Sequence, residues 1–190
     1  MRVDQVIPHL ANRDAIGVHT LNLSAALRRA GLESDIFYGE CSEEVAGLGK
    51  PVTELGRTER GRYLLYQSSI GSPVFDVLMA RSEPKLVNYH NITPVELIEP
   101  WEPAVGYELR LGRAQLERLA GASQLAVADS SFNEKELIEA RYSPTAVVPL
   151  LIDMTSAGAP ADPATAAKLA RARHAGGADL LYVGKIAPHK

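Results

Sequence analysis

The sequence contains a single cysteine, Cys41, among its 190 residues. One cysteine excludes an intrachain disulfide and any zinc site built from several thiolates, and it is consistent with a reducing compartment. We expect Cys41 itself to be a small buried apolar residue. Because 46% of the residues are apolar, the chain can bury a packed core without covalent cross-links.

The sequence also lacks an excess of positive charge and any long apolar run. Lysine and arginine number 20 against 23 acidic residues, a formal charge of −3, which disfavours a dedicated nucleic-acid binder. The longest apolar runs, such as residues 146–152 with Pro149 inside, fall short of the roughly 18 residues that cross a bilayer. The first residues read as a strand and carry no export signal. These absences predict a cytoplasmic protein.

Signature motifs of several α/β enzymes are missing. The loop after the first strand offers one glycine, Gly17, in place of the Gly-x-Gly-x-x-Gly pattern that binds dinucleotides, which argues against nicotinamide and flavin enzymes. No Gly-x-Ser-x-Gly motif supports a hydrolase. No second histidine or carboxylate stands at ligand spacing beside His90, and His9 and His19 fall on a loop and a helix. We therefore predict no metal and no cofactor.

Hydrophobic patterns alternate between short strands and helices along the chain. Parallel strands need long crossovers, so this alternation predicts a doubly wound, mostly parallel Rossmann-like sheet. Residues 131–134 have the spacing of a capping box that begins a helix at Ser131. Residues 39–61 are predicted as loop, with one helical turn at most. The predicted strands are 2–8, 34–38, 62–68, 85–90, 124–128 and 145–152, and the predicted helices are 16–30, 73–81, 103–119 and 131–141.

Composition divides the chain into three parts. Residues 1–153 form the Rossmann-like domain, and residues 154–178, rich in alanine, glycine and proline, form a linker with a short helix. Residues 179–190 are predicted to be the first strand of a second, truncated domain. Such an unpaired strand would dock on an edge of its own sheet or on a second copy of the chain; we favour the second, which predicts a homodimer.

Candidate binding residues follow the strands, because open α/β sheets bind ligands at the carboxyl ends of their strands. Gly17 could leave helix amides free for an anion, although it could equally be a flexible helix entry. His90 begins a polar stretch with Asn91 and Thr93, and ordinary turn residues are the alternative. Ser130 follows the fifth strand.

Two lysines complete the candidates. Lys185 and Lys190 stand five residues apart across the exit of the last strand, which suits a diphosphate. A solvated surface pair is the alternative.

Five sequence blocks together resemble one enzyme family. In chain order they are residues 69–73 (SIGSP), 89–94 (YHNITP), 128–134 (ADSSFNE), 148–153 (VPLLID) and 181–190 (LYVGKIAPHK). The whole chain resembles the first half of bacterial retaining glycosyltransferases of the GT-B fold, glycosyltransferase family 4.

The resemblance implies two Rossmann-like domains facing a cleft, with the acceptor on the first domain and the nucleotide-sugar donor on the second. It implies that Gly17 lies against the donor phosphates, that His90 lines the sugar-transfer site as a catalytic residue, and that Lys190 pairs with the diphosphate. Lys185 stands where arginine is usual, which exchanges a bidentate fork for a point charge. Asn91, Thr93 and Ser130 belong to these blocks and are candidate residues for binding the substrate or the donor.

The implied activity is sugar transfer with retention, in polysaccharide biosynthesis. The acceptor would be a saccharide or a lipid-linked saccharide, the latter implying peripheral contact with the inner face of a membrane. The family's donor-binding glutamates fall beyond residue 190, so the chain alone is expected to be inactive. Two alternatives remain: a non-catalytic sugar- or nucleotide-binding module, and a flavodoxin-like regulatory domain. The latter normally has a cluster of acidic residues after its first strand, where this sequence has Asp14 alone.

Overall fold

The computed structural model describes residues 1–152 and 162–174, together with Leu180 and Gly184. The chain divides into two compact units, residues 1–152 with most of the described structure and residues 153–190. In the second unit the described element is helix Pro163–His174, at whose start Asp162 accepts a hydrogen bond from the Thr165 amide. Apart from Leu180 and Gly184, the predicted strand at 179–186, and with it the predicted dimer contact, lies outside the described residues.

The first unit is a single all-parallel sheet of seven strands flanked by helices, which confirms the predicted doubly wound α/β fold. The strand order is β3-β2-β1-β4-β5-β6-β7, so the chain reverses its direction of winding between β1 and β4. The strands are β1 Arg2–Leu10, β2 Ile36–Cys41, β3 Lys50–Pro51, β4 Arg62–Ser68, β5 Lys85–Tyr89, β6 Ser123–Ala128 and β7 Thr145–Val147; the helices are α1 Ala15–Arg29, α2 Val74–Met79, α3 Pro103–Ala120 and α4 Ser131–Glu139, and the helix of the second unit is α5.

Several predicted boundaries are wrong in detail. The predicted loop at 39–61 contains the two-residue strand β3, which pairs with Phe37 and Tyr38 of β2. Strand β7 ends at Val147, well before Ile152, although its edge position agrees with the nearby proline. Cys41 is half-buried, because it ends the outer part of β2.

The cap of α4 also differs from its prediction. Ser130, one residue before the predicted cap, accepts a hydrogen bond from the Asn133 amide at 3.2 Å, so Ser131 is already the first helical residue. The predicted end of α1, residue 30, is one residue late, because Ala30 is already the C-cap. Gly31 follows the helix with φ +81°, the left-handed conformation that favours glycine, after Arg28 and Arg29 in the last turn.

The two faces of the sheet bury different side chains. Strand residues alternate between faces, so Val6 faces the large core with α2, α3 and α4, whereas Gln5 and Ile7 face α1. The large core joins strand and helix residues in one cluster: Val6, Leu64, Tyr66, Val87, Tyr89, Phe75, Leu78, Leu109, Leu116, Leu119 and Leu137. Within the described residues no helix is long and apolar enough to cross a membrane.

Candidate functional site

A cluster of buried polar side chains crosses the face of the sheet that α1 covers and reaches the carboxyl edge. We call it the polar cluster. It contains residues from β1, β4, β5, the start of the loop after β6, and helix α1: Gln5, Gln67, Asn88, His90, Asp129 and His19. Its members are brought together by strand register, since His90 follows Tyr89 and Asp129 follows Ala128, which are paired residues of β5 and β6.

The direction of the hydrogen bonds in this cluster is fixed at one end. The Thr20 carbonyl can only accept, so the Gln5 amide nitrogen faces it at 2.9 Å and the Gln5 oxygen faces Gln67. Gln67 must then donate from Nε2 to Gln5 at 2.7 Å, which turns its own oxygen toward His90 Nε2 at 2.6 Å. Consequently His90 carries a hydrogen on Nε2, and this atom points into the protein.

The other nitrogen of His90 meets a carboxylate. His90 Nδ1 lies 2.9 Å from Asp129 Oδ2, within hydrogen-bond distance. The His90 side chain is only 1% exposed, whereas the Asp129 side chain is 14% exposed. The predicted place of His90, at the carboxyl end of a central strand, is confirmed. Gln67 and Asp129 face the two ring nitrogens of His90, so its side chain is buried at this edge.

His19 connects the polar cluster to the segment that follows β7 and contains Leu151. Its Nδ1 accepts a hydrogen bond from the Leu151 amide at 2.9 Å, and Asn22 on the same helix donates to the Leu151 carbonyl at 3.0 Å. Burial lowers the pKa of His19 to about 4; a nearby His90 lowers it further, and Asp129 opposes the shift. His19 is therefore neutral at pH 7, with its hydrogen on Nε2.

Two polar positions in the polar cluster lack a hydrogen-bond partner within the described part of the chain: Asp129 Oδ1 and one end of the Asn88 side-chain amide. His19 Nε2 lies 2.8 Å from the Asn88 amide. Because that nitrogen carries a hydrogen, the amide orientation that places the Asn88 oxygen against it is the consistent one. Buried polar atoms without protein partners are typically satisfied by water or by a ligand.

Gly17 has a packing role that the sequence did not reveal. A Cβ at this position would lie 1.9 Å from the Ala11 carbonyl oxygen, so only glycine allows α1 to approach the preceding loop. The Gly17 amide donates to the Asp14 carboxylate at 3.0 Å. This amide is thus occupied by a helix cap, and the expectation that it is free for an anion is wrong.

The remaining predicted residues lie apart from the polar cluster or outside the described residues. Asn91 is exposed, with φ +67°, and Thr93 lines a shallow pocket beside Arg110 and Arg113. Ser130 has its hydroxyl engaged in the α4 cap. Lys185 and Lys190 lie outside the described residues.

Sequence reasoning identified His90 but missed its partners. Gln5, Gln67 and Asn88 are polar residues at buried positions of central strands, where apolar side chains are the norm, and this was the available signal. No group of three histidine, cysteine or carboxylate side chains among the described residues is arranged to hold a metal ion.

In comparisons with known proteins, no family model matches the sequence, and no curated protein matches it significantly.

Proposed function

We propose that the chain is the acceptor-side half of a retaining GT-B glycosyltransferase, which transfers a sugar from a nucleotide-sugar donor to a saccharide or lipid-linked acceptor. The observation that carries the proposal is the hydrogen-bond chain that links Thr20 through Gln5, Gln67 and His90 to Asp129. It fixes polar groups at the edge where doubly wound sheets bind their ligands. The five ordered sequence blocks that resemble this family support the same function.

Within this proposal Asp129 is the member of the polar cluster that meets a bound sugar, because its side chain reaches the surface. His90 and Gln67 are positioning residues, since they hold Asp129 from below. In the transfer, the bond between the anomeric carbon and the diphosphate oxygen breaks, the acceptor oxygen bonds to that carbon, and the leaving phosphate takes the acceptor proton. Holding donor and acceptor in register supplies most of the rate enhancement. Contacts of Lys185 and Lys190 with the diphosphate remain predictions.

The test is release of nucleoside diphosphate by the intact protein from a panel of nucleotide sugars, with saccharide acceptors present. We expect Asp129→Asn to lower kcat/KM by about 100-fold, equivalent to about 2.7 kcal/mol of transition-state stabilisation. Glu139→Gln, an exposed carboxylate near the end of α4, is the matched control and should leave kcat/KM unchanged. Equal activity of the two variants would contradict the role of Asp129.

A second candidate is a non-catalytic sugar- or nucleotide-binding module. The observation that favours it is the burial of His90 with both ring nitrogens engaged, which suits a rigid binding frame. Binding of a nucleotide sugar by the intact protein without any release of nucleoside diphosphate would select this candidate over the enzyme.

A further inference from the structure

A second feature of the carboxyl edge is a pocket of about 490 Å³ on the side of the sheet that α2 and α3 cover. It is lined by the carboxyl-terminal parts of β1 and β2 and by the loop between β4 and α2. The winding direction reverses between β1 and β4, and crevices at such reversals are the usual ligand sites of open α/β sheets. Its volume suits a ligand of one or two sugar rings.

The wall of the pocket is held rigidly before any ligand binds. The side-chain amide of Gln115 on α3 makes two hydrogen bonds with the main chain of Ser72, at 3.0 and 2.9 Å. Gly71 and Gly112 let this loop touch α3, because a Cβ on Gly71 would lie 2.5 Å from the Glu108 carbonyl oxygen. A ligand therefore meets a preformed surface, which lowers the entropic cost of binding.

The pocket combines an apolar floor with acidic groups. Its apolar lining is Pro8, Val52, Ile70, Pro73, Val74 and Val77. Glu40 and Glu108 add two carboxylates, and both residues are exposed. His9 stands beside Glu40, with 3.6 Å between Nδ1 and Oε2. Among the described residues that line the pocket, none is a lysine or an arginine.

This charge pattern selects among small ligands. A phosphorylated sugar would meet two carboxylates without a compensating cation, and repulsion would weaken its binding. A neutral sugar could donate hydroxyl hydrogen bonds to the carboxylates but would leave their charge uncompensated. A ring with an apolar face can pack on the apolar floor of the pocket. A protonated amine on that ring can donate hydrogen bonds to the carboxylates and balance their charge.

We propose that this pocket binds the acceptor of the transfer reaction and that the acceptor is an amino sugar or an aminocyclitol, a ring that carries a protonated amine. The assignment of this ligand as the acceptor rests on the proposed function. The ligand class itself rests on the pocket, with Glu40 and Glu108 as the groups that recognise the ammonium.

The experiment measures binding directly. The isotopically labelled chain is titrated with glucosamine, glucose and glucose 6-phosphate while the backbone amide signals of Gly39 and Gly71 are followed by NMR. We expect glucosamine to bind about three- to tenfold more tightly than glucose, since exposed charge pairs contribute modestly, and glucose 6-phosphate to bind most weakly. Added salt should reduce the preference for glucosamine.

Matched variants identify the groups responsible. The double variant Glu40→Gln/Glu108→Gln should bind glucosamine and glucose equally. Glu117→Gln, an exposed carboxylate on the same helix as Glu108 but outside the pocket, should keep the preference. Equal binding of both sugars by the unaltered chain, or no shift of the pocket amides with glucosamine, would overturn the proposal.

Turnover by the intact protein separates this proposal from the proposed function. Preferential use of glucosamine over glucose as acceptor would support both. An amine preference in binding without any transfer would overturn the proposed function and the acceptor assignment, while the ligand class of the pocket would stand. Transfer to glucose with no binding preference would support the function and overturn the amine proposal.

Discussion

The two ends of the parallel sheet are built from different chemistry. At the amino end Asp4 is fully buried and accepts hydrogen bonds from Arg62 Nε and Arg2 Nε, both at 2.7 Å, and from the Asp35 amide at 2.8 Å. Arg62, itself 3% exposed, also donates to the Leu55 carbonyl. Each of these charges is matched by partners of the opposite sign or by the backbone.

The carboxyl end has amides and histidines in place of matched charges. Hydrogen bonds there run in one direction from Thr20 to His90, whose Nδ1 meets the Asp129 carboxylate. Asp129 Oδ1 and one end of the Asn88 side-chain amide lack a partner within the described residues. A polar network that is complete contributes to stability, whereas one that leaves acceptors open is suited to bind a ligand. The comparison therefore predicts that substitutions at the amino end reduce stability most.

The largest effect is expected from Asp4→Ala. Removing this carboxylate takes away the hydrogen-bonded charge partner of the buried Arg62 guanidinium, with Glu83 still 4.0 Å away, and costs about 3–5 kcal/mol. Denaturant unfolding monitored by circular dichroism measures the loss. Glu59→Ala is the control, because Glu59 is 54% exposed and 3.8 Å from Arg62, and it should change the free energy of unfolding by less than about 1 kcal/mol. Similar losses for the two variants would contradict the difference drawn between the ends.

A second large effect is expected at the carboxyl end from Gly17→Ala. The added Cβ would meet the Ala11 carbonyl 1.9 Å away, so the loop or the helix must shift at a cost of about 2–3 kcal/mol. This cost outweighs the gain of up to about 1 kcal/mol that alanine normally brings to a helix. Gly47→Ala, where a Cβ would meet nothing within 4 Å, is the control and should be neutral or slightly stabilising. An unchanged melting temperature for Gly17→Ala would show that the close approach is not required.

The pH dependence of stability tests the buried His19 at the carboxyl end of the sheet. The folded chain holds the pKa of His19 at about 4, below the ordinary value of 6.5, so the unfolded chain binds more protons between these values. The contribution of His19 to the free energy of unfolding is thus fully present above pH 6.5. It decreases as the pH falls toward 4, by an amount on the order of 2 kcal/mol. Urea unfolding across this range measures the slope.

The control for this titration is His19→Asn. Its side-chain oxygen can accept from the Leu151 amide in place of Nδ1 but does not titrate, so this variant should show a flatter dependence over the same range. An equal slope in both proteins would assign the dependence to a group other than His19.

The sequence was sufficient to predict the alternating strands and helices but not the polar cluster. Periods of two and 3.6 residues are local, so β4 and the start of α3 were predicted at their observed first residues. Strand β3 was missed because two residues carry no period. The contact of Gln5 with Gln67, and of His19 with Asn88, depends on which strands become neighbours and on the helix that covers them. Such long-range pairing is not encoded in any local pattern, and the burial of the His90 side chain could not be predicted for the same reason.

The smallest effect concerns the link between Gln5 and Gln67. Gln67→Leu leaves the Gln5 oxygen without a donor and His90 Nε2 without an acceptor, for a loss of about 1–3 kcal/mol. Gln5→Leu leaves Gln67 Nε2 and the Thr20 carbonyl unpaired, for a similar loss. In the double variant the bond between the two amides is lost only once, so its cost should fall below the sum of the single costs by about 0.5 kcal/mol or more. Gln124→Leu, at an exposed position of β6, is the control and should have little effect. Strict additivity of the two substitutions would show that the chain from Thr20 to His90 does not act as one directed unit.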